Sequence, residues 1–86
     1  MTRLEELEAE LGAAYTYLQA NTGASVPVAI EDAIFKATGT HLSSEETDEF
    51  EGTPPGTFRG FIDWVLQKIK DFIKWVEDWW NEEDEE

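Results

Sequence analysis

The chain has 86 residues and a formal net charge of −14, which results from 20 acidic and six basic side chains. This length predicts one domain at most, and an apolar content of 41% is enough for a folded core, so we expect the acidity to be a property of the surface. The absence of cysteine excludes a disulfide framework and a thiolate metal site.

Two helices are predicted in the first half of the chain. Residues 2–23 open with Thr2 and Glu5 at capping-box spacing and repeat apolar residues at helical intervals. Residues 25–39 begin with Ser25 as an N-cap, carry a proline in the first turn and end at a glycine. The first apolar residues of this second segment also alternate as in a short strand, but the alternation soon stops.

The middle of the chain combines an acidic segment with a break. After Ser43 the sequence predicts either one or two helical turns, with Glu46 completing a second capping box, or an acidic loop. Residues 52–57, "GTPPGT", end any helix before them, because proline restricts its neighbours and glycine disfavours a helix.

A long amphipathic helix is predicted from Phe58 to Trp80, roughly 35 Å in length. Its core seam has heptad spacing and consists of Phe58, Ile62, Val65, Ile69, Phe72, Val76 and Trp79. The residues that flank this seam are Phe61, Leu66, Ile73 and Trp80. The helix is longer than either upstream helix can cover, so part of it is expected to protrude or to find a partner.

The predicted fold class is therefore all-α. We expect a small bundle of three main helices, with a short fourth as an option, in which the two N-terminal helices pack on the long C-terminal one. Residues 1–81 form this single domain, and residues 82–86 form an acidic disordered tail.

Two tryptophans do not fit the core seam. Trp64 and Trp75 lie about 140° and 120° from its centre, on the same side of the helix. Lys68 lies between them, where its ammonium group can reach an indole face. The two tryptophans are either half-buried lids over the edge of the core or an anchor pair for another protein or a second copy.

The acidic residues exclude some partners and favour others. Phosphates of nucleic acids and anionic lipid head groups would be repelled, so the expected partner is a basic protein, such as a nucleic-acid-binding complex. One explanation of the acidity is solvation alone, as in the protein of a halophile. The other is mimicry, in which carboxylates on a rigid helical frame occupy a groove that another protein uses for phosphates. Phage-encoded antagonists of bacterial nucleases and CRISPR complexes are inhibitors of this type.

The function predicted from the sequence is that of a non-enzymatic, acidic interaction protein that inhibits a nucleic-acid-binding protein. The predicted partner-binding residues are Trp64, Lys68, Trp75, Glu45, Glu46, Asp48, Glu49, Glu51, Glu77 and Asp78. The alternative is an assembly module that self-associates through the tryptophan-rich helix. A third option, an enzyme that uses His41, has little support, because no triad, cofactor or metal-ligand spacing surrounds this single histidine.

The expected location is the cytoplasm, of the host cell if the protein is viral. Residues 1–20 lack the apolar stretch of a signal peptide, and no run approaches the roughly 18 apolar residues of a membrane span.

Overall fold

The computed structural model describes residues 1–82, and every regular element in this range is a helix. The helices are α1 (Arg3–Ala20), α2 (Val26–Thr38), α3 (Ser44–Asp48), α4 (Phe58–Phe72) and α5 (Lys74–Glu82). The all-α prediction is confirmed, and the alternative strand at the start of the second segment is wrong because those residues form the first turns of α2. Of the predicted tail 82–86, Glu82 is the last residue of α5 and the remaining residues lie outside the described part of the chain.

The helix starts agree with the capping signals. The hydroxyl of Thr2 accepts the backbone N–H of Glu5 at 3.1 Å, and the carboxylate of Glu5 accepts the N–H of Thr2 at 3.0 Å. Ser43 and Glu46 form the same reciprocal pair, so the acidic segment after Ser43 is a short helix rather than a loop. Ser25 caps α2 as predicted. These bonds satisfy N–H groups that have no partner within the first turn of a helix.

One apolar core joins α1, α2, α4 and α5, and Leu42 and Phe50 on either side of α3 also belong to it. α1 and α2 pack against each other, α1 also contacts α4 and α5, and α2 contacts α3. The buried core residues are Leu7, Leu11, Ala14, Ile30, Ala33, Ile34, Leu42, Phe50, Phe61, Ile62, Val65, Ile69, Ile73, Val76 and Trp80. Within residues 1–82 no polar or charged residue is buried, so every described carboxylate lies at the surface.

The C-terminal helix is not continuous, which corrects the prediction of a single helix to Trp80. Ile73 has φ −127° and ψ 65°, outside the helical region, and its carbonyl accepts the N–H of Val76 at 3.0 Å as α5 begins. Neither proline nor glycine occurs between residues 68 and 82 to indicate this break. Instead of protruding, α5 lies against α1, where the guanidinium of Arg3 donates to the carbonyl of Trp79 at 2.8 Å.

The buried face of α4 and α5 also differs from the predicted heptad seam. Phe58 and Phe72 are 50% and 52% exposed, whereas Ile73 and Trp80, predicted only to flank the seam, are buried. The observed stripe is Ile62, Val65, Ile69, Ile73, Val76 and Trp80. These residues follow one another at intervals of three or four, and Ile73 belongs to the stripe although it lies at the break between α4 and α5.

Candidate functional site

Trp64 and Trp75 are both partly buried against the edge of the core. The ring of Trp64 meets that of Phe50 edge-on, with centroids 6.0 Å apart, and contacts Phe61 at 6.3 Å. The indole Nε1 of Trp75 donates to the Oε2 of Glu46 at 2.8 Å. The structure therefore brings both tryptophans together with the acidic segment around α3, which lies beside them and covers part of their surface.

The acidic segment presents most of its carboxylates to solvent. Glu45, Asp48 and Glu51 are exposed, whereas Glu46 and Glu49 are partly buried. Glu46 uses both carboxylate oxygens, because Oε1 accepts the N–H of the N-cap residue at 2.8 Å while Oε2 accepts the indole. Three of the five carboxylates of this segment are thus exposed, and the carboxylate of Glu46 bonds the segment to α5. We call the segment 43–51 the acidic platform.

The predicted site residues of the C-terminal helices have separate environments. The ammonium of Lys68 lies over the ring of Phe72, 5.5 Å from its centroid, rather than over the predicted indole face. Glu77 accepts a hydrogen bond from Lys74 at 2.6 Å, and this bond raises the pKa of Lys74 above its ordinary value. Asp78 is exposed. Its charge also contributes to the raised pKa of Lys74.

Several basic side chains are neutralised by nearby carboxylates. Arg59 contacts Glu8 at 3.1 Å and Asp63 at 3.2 Å. The hydrogen bonds that its guanidinium donates, chiefly to Glu8 and then to Asp63, raise the pKa of Arg59. Lys36 contacts Asp32 at 2.9 Å, and this hydrogen bond raises the pKa of Lys36. Because positive charges are engaged locally, the field that extends from the protein is negative.

His41 follows α2 and lies beside Phe35 and Glu31. Its ring stacks on that of Phe35, with centroids 3.9 Å apart, and its Nδ1 is within hydrogen-bond distance of Glu31. The hydroxyl of Ser43 accepts a backbone N–H as the cap of α3. Among residues 1–82, no group of three or more histidine, cysteine, aspartate or glutamate side chains is placed to hold a metal ion.

An open groove between α1 and α2, of about 450 Å³, was not predicted from the sequence. Its lining combines alanines with two large exposed apolar residues, Tyr17 at 54% and Val28 at 64% exposure. Glu10, Asp32 and Lys36 line it as well. The sequence feature that could have indicated this groove is the position of Tyr17 and Val28, two large apolar residues that lie outside the core-facing stripes of their helices.

Comparison of the chain with protein-family models, curated proteins and solved structures gave no significant match.

None of the helices in the described range is both long enough and apolar enough to cross a membrane.

Proposed function

We propose that this protein is a non-enzymatic inhibitor that binds a basic, nucleic-acid-binding surface of another protein, with its carboxylates in the place of phosphates. The observation that carries the proposal is a helical frame on which every acidic side chain of the described residues lies at the surface. Within residues 1–82 the core contains no charged residue, and the acidic platform is fixed to α5 by the bond between Glu46 and Trp75.

A fixed arrangement of charges is what distinguishes a mimic from a flexible acidic chain. Binding to a structured basic groove costs less conformational entropy when the carboxylates are already held in place. Charge complementarity then increases the association rate and favours basic partners over neutral ones. The acidic platform supplies exposed carboxylates in Glu45, Asp48 and Glu51, on a segment that the bond between Glu46 and Trp75 ties to α5.

Self-association through the tryptophan-rich helices is the less favoured function. Trp64 and Trp75 already contact the core edge, Phe50 and Glu46, which reduces the aromatic surface that they offer to a second copy. Two copies would also repel each other, because each chain has a net charge of −14.

The test of the proposed function is capture followed by competition. The immobilised protein is incubated with a bacterial lysate at low salt, and retained proteins are eluted either with increasing NaCl or with duplex DNA. We expect a retained nucleic-acid-binding protein that both salt and DNA release, because phosphates and carboxylates compete for the same basic surface. Retention that neither salt nor DNA affects would contradict mimicry.

A matched pair of variants separates the acidic platform from general charge. Glu45→Gln with Asp48→Asn removes two exposed charges from the acidic platform, and Glu6→Gln with Asp71→Asn removes two exposed charges outside it. We expect the platform variant to weaken binding to the captured protein by about tenfold and the control variant by about twofold. Equal losses would indicate attraction by net charge alone.

A further inference from the structure

The groove between α1 and α2 faces away from the C-terminal helices. On α1, Gly12 and Tyr15 face Phe58, since a Cβ on Gly12 would lie 3.0 Å from that ring and the Tyr15 ring meets it edge-on. Glu10 and Tyr17, which line the groove, lie about 180° from those two residues around the helix. The groove is therefore open along a side of the α1–α2 pair that the rest of the described chain leaves uncovered.

The shape of the groove suits a third helix. Its floor consists of the alanines Ala13, Ala14, Ala24, Ala29 and Ala33. Small side chains on two neighbouring helices allow the side-chain ridge of another helix to approach closely. Tyr17 and Val28 rise at the edges and remain more than half exposed, so their apolar surface is free for contact with apolar side chains of an incoming helix.

The charges beside the groove indicate which kind of helix it takes. Glu10 and Asp32 lie along it with one base, Lys36, which is held by Asp32 at 2.9 Å. The charge of Glu10 also contributes to the raised pKa of Lys36. The groove thus has a net negative lining in a protein of charge −14, which attracts a basic helix and repels a second copy of this chain.

We propose that this groove binds a basic amphipathic helix of the partner protein, with apolar side chains on the alanine floor between Tyr17 and Val28 and a lysine or arginine beside Glu10. The inference rests on the proposed function for the basic character of the partner. The groove is a second contact surface, between α1 and α2, and is separate from the acidic platform. In this proposal the groove makes the apolar contacts with the partner.

The probe for this site is a synthetic peptide of about 14 residues with leucine and lysine at helical spacing. Titration of the ¹⁵N-labelled protein with this peptide is expected to shift the amide signals of Ala13, Tyr17, Val28 and Ala29 most strongly. Tyr17→Ser should weaken peptide binding by about fivefold or more. Phe72→Ser removes an equally exposed aromatic residue from α4 and should change binding by less than about twofold.

The folding of Tyr17→Ser is checked by far-UV circular dichroism, and Val28→Ser on the opposite edge of the groove repeats the test independently. Signal shifts confined to the acidic platform, or unchanged affinity in both serine variants, would overturn the groove inference. Light scattering provides a third readout, since a dimer that Val28→Lys dissociates would show that a second copy occupies the groove.

Failure of the groove and failure of the proposed function give different results. If the peptide binds elsewhere while DNA still displaces a captured protein, the groove inference is wrong and the inhibitor proposal stands. If the peptide binds in the groove while DNA displaces nothing, the groove inference stands and nucleic-acid mimicry is wrong.

Discussion

Trp75 of α5 donates its indole N–H to the carboxylate of Glu46 in α3, 2.8 Å away and 29 residues distant in sequence. The same carboxylate closes the capping box of α3 by accepting the N–H of Ser43. α3 has five residues and none of them is buried, so it is too short to be stable by itself. Its position depends on this bond and on the buried residues Leu42 and Phe50 on either side.

Removal of the Glu46 carboxylate is expected to destabilise the fold. Glu46→Ala removes the capping interaction and leaves the indole N–H of Trp75 without its acceptor, a loss of about 2 to 3 kcal/mol in the free energy of unfolding. Urea denaturation followed by circular dichroism measures this change. The control is Glu45→Ala on the exposed side of the same helix, with an expected change within about 0.5 kcal/mol.

The indole bond can be tested separately from the cap. Trp75→Phe keeps an aromatic ring at the core edge but removes the N–H donor, and we expect a loss of about 1 to 2 kcal/mol in the same urea experiment. In the Glu46→Ala background the same substitution should cost less, because the acceptor is already absent. Additive losses would show that the two residues are not coupled.

Because the helix breaks between α4 and α5, we expect Ile73 to contribute more to the stability of the fold than Phe72. Ile73→Ala should lower the free energy of unfolding by about 2 to 4 kcal/mol, because Ile73 is fully buried. Phe72→Ala should lower it by less than about 1 kcal/mol, because Phe72 is 52% exposed. Denaturation of both variants gives the ranking, and a larger effect of Phe72 would favour the heptad seam and a continuous helix.

The capping box of α1 should make a pH-dependent contribution to stability. Hydrogen bonds from the backbone N–H and the side chain of Thr2 lower the pKa of Glu5. A carboxyl group with a lowered folded-state pKa stabilises the fold above its unfolded-state pKa, and this contribution is lost as the pH falls through the folded-state value.

The comparison that isolates this contribution is between wild type and Glu5→Gln. In urea denaturation the stability advantage of wild type should be largest near neutral pH and should be lost as the pH falls through the lowered pKa of Glu5. Glu6→Gln removes the same charge from the same turn and is the control. If the difference in the free energy of unfolding between wild type and Glu5→Gln does not change with pH, the capping role of the carboxylate is contradicted.

Folding at low salt distinguishes a mimic from a halophilic protein. The described core is apolar and basic residues have carboxylate partners nearby, so we expect a helical far-UV spectrum at about 10 mM NaCl. Added NaCl should raise the thermal midpoint moderately, because it screens repulsion among the exposed carboxylates. An unfolded spectrum at low salt that becomes helical only near 1 M or above would favour the halophile explanation.

The sequence by itself determined the local features of this protein. The capping boxes at Thr2 and Ser43, the glycine that ends α2 and the break at residues 52–57 depend on groups within about four residues of each other, so local patterns predict them. The external placement of the acids follows equally directly, because an unpaired charge is too costly to bury in a small core.

Only the tertiary structure decided the features that join distant segments. The helix breaks at Ile73, and Ile73 is buried as part of the core stripe of α4 and α5. No proline or glycine in the local sequence indicates this break. The bond from Trp75 to Glu46 and the groove beside Tyr17 depend on how separate helices pack. Packing decides these features because burial of apolar surface depends on the neighbours that the whole chain supplies, and helical periodicity alone does not specify those neighbours.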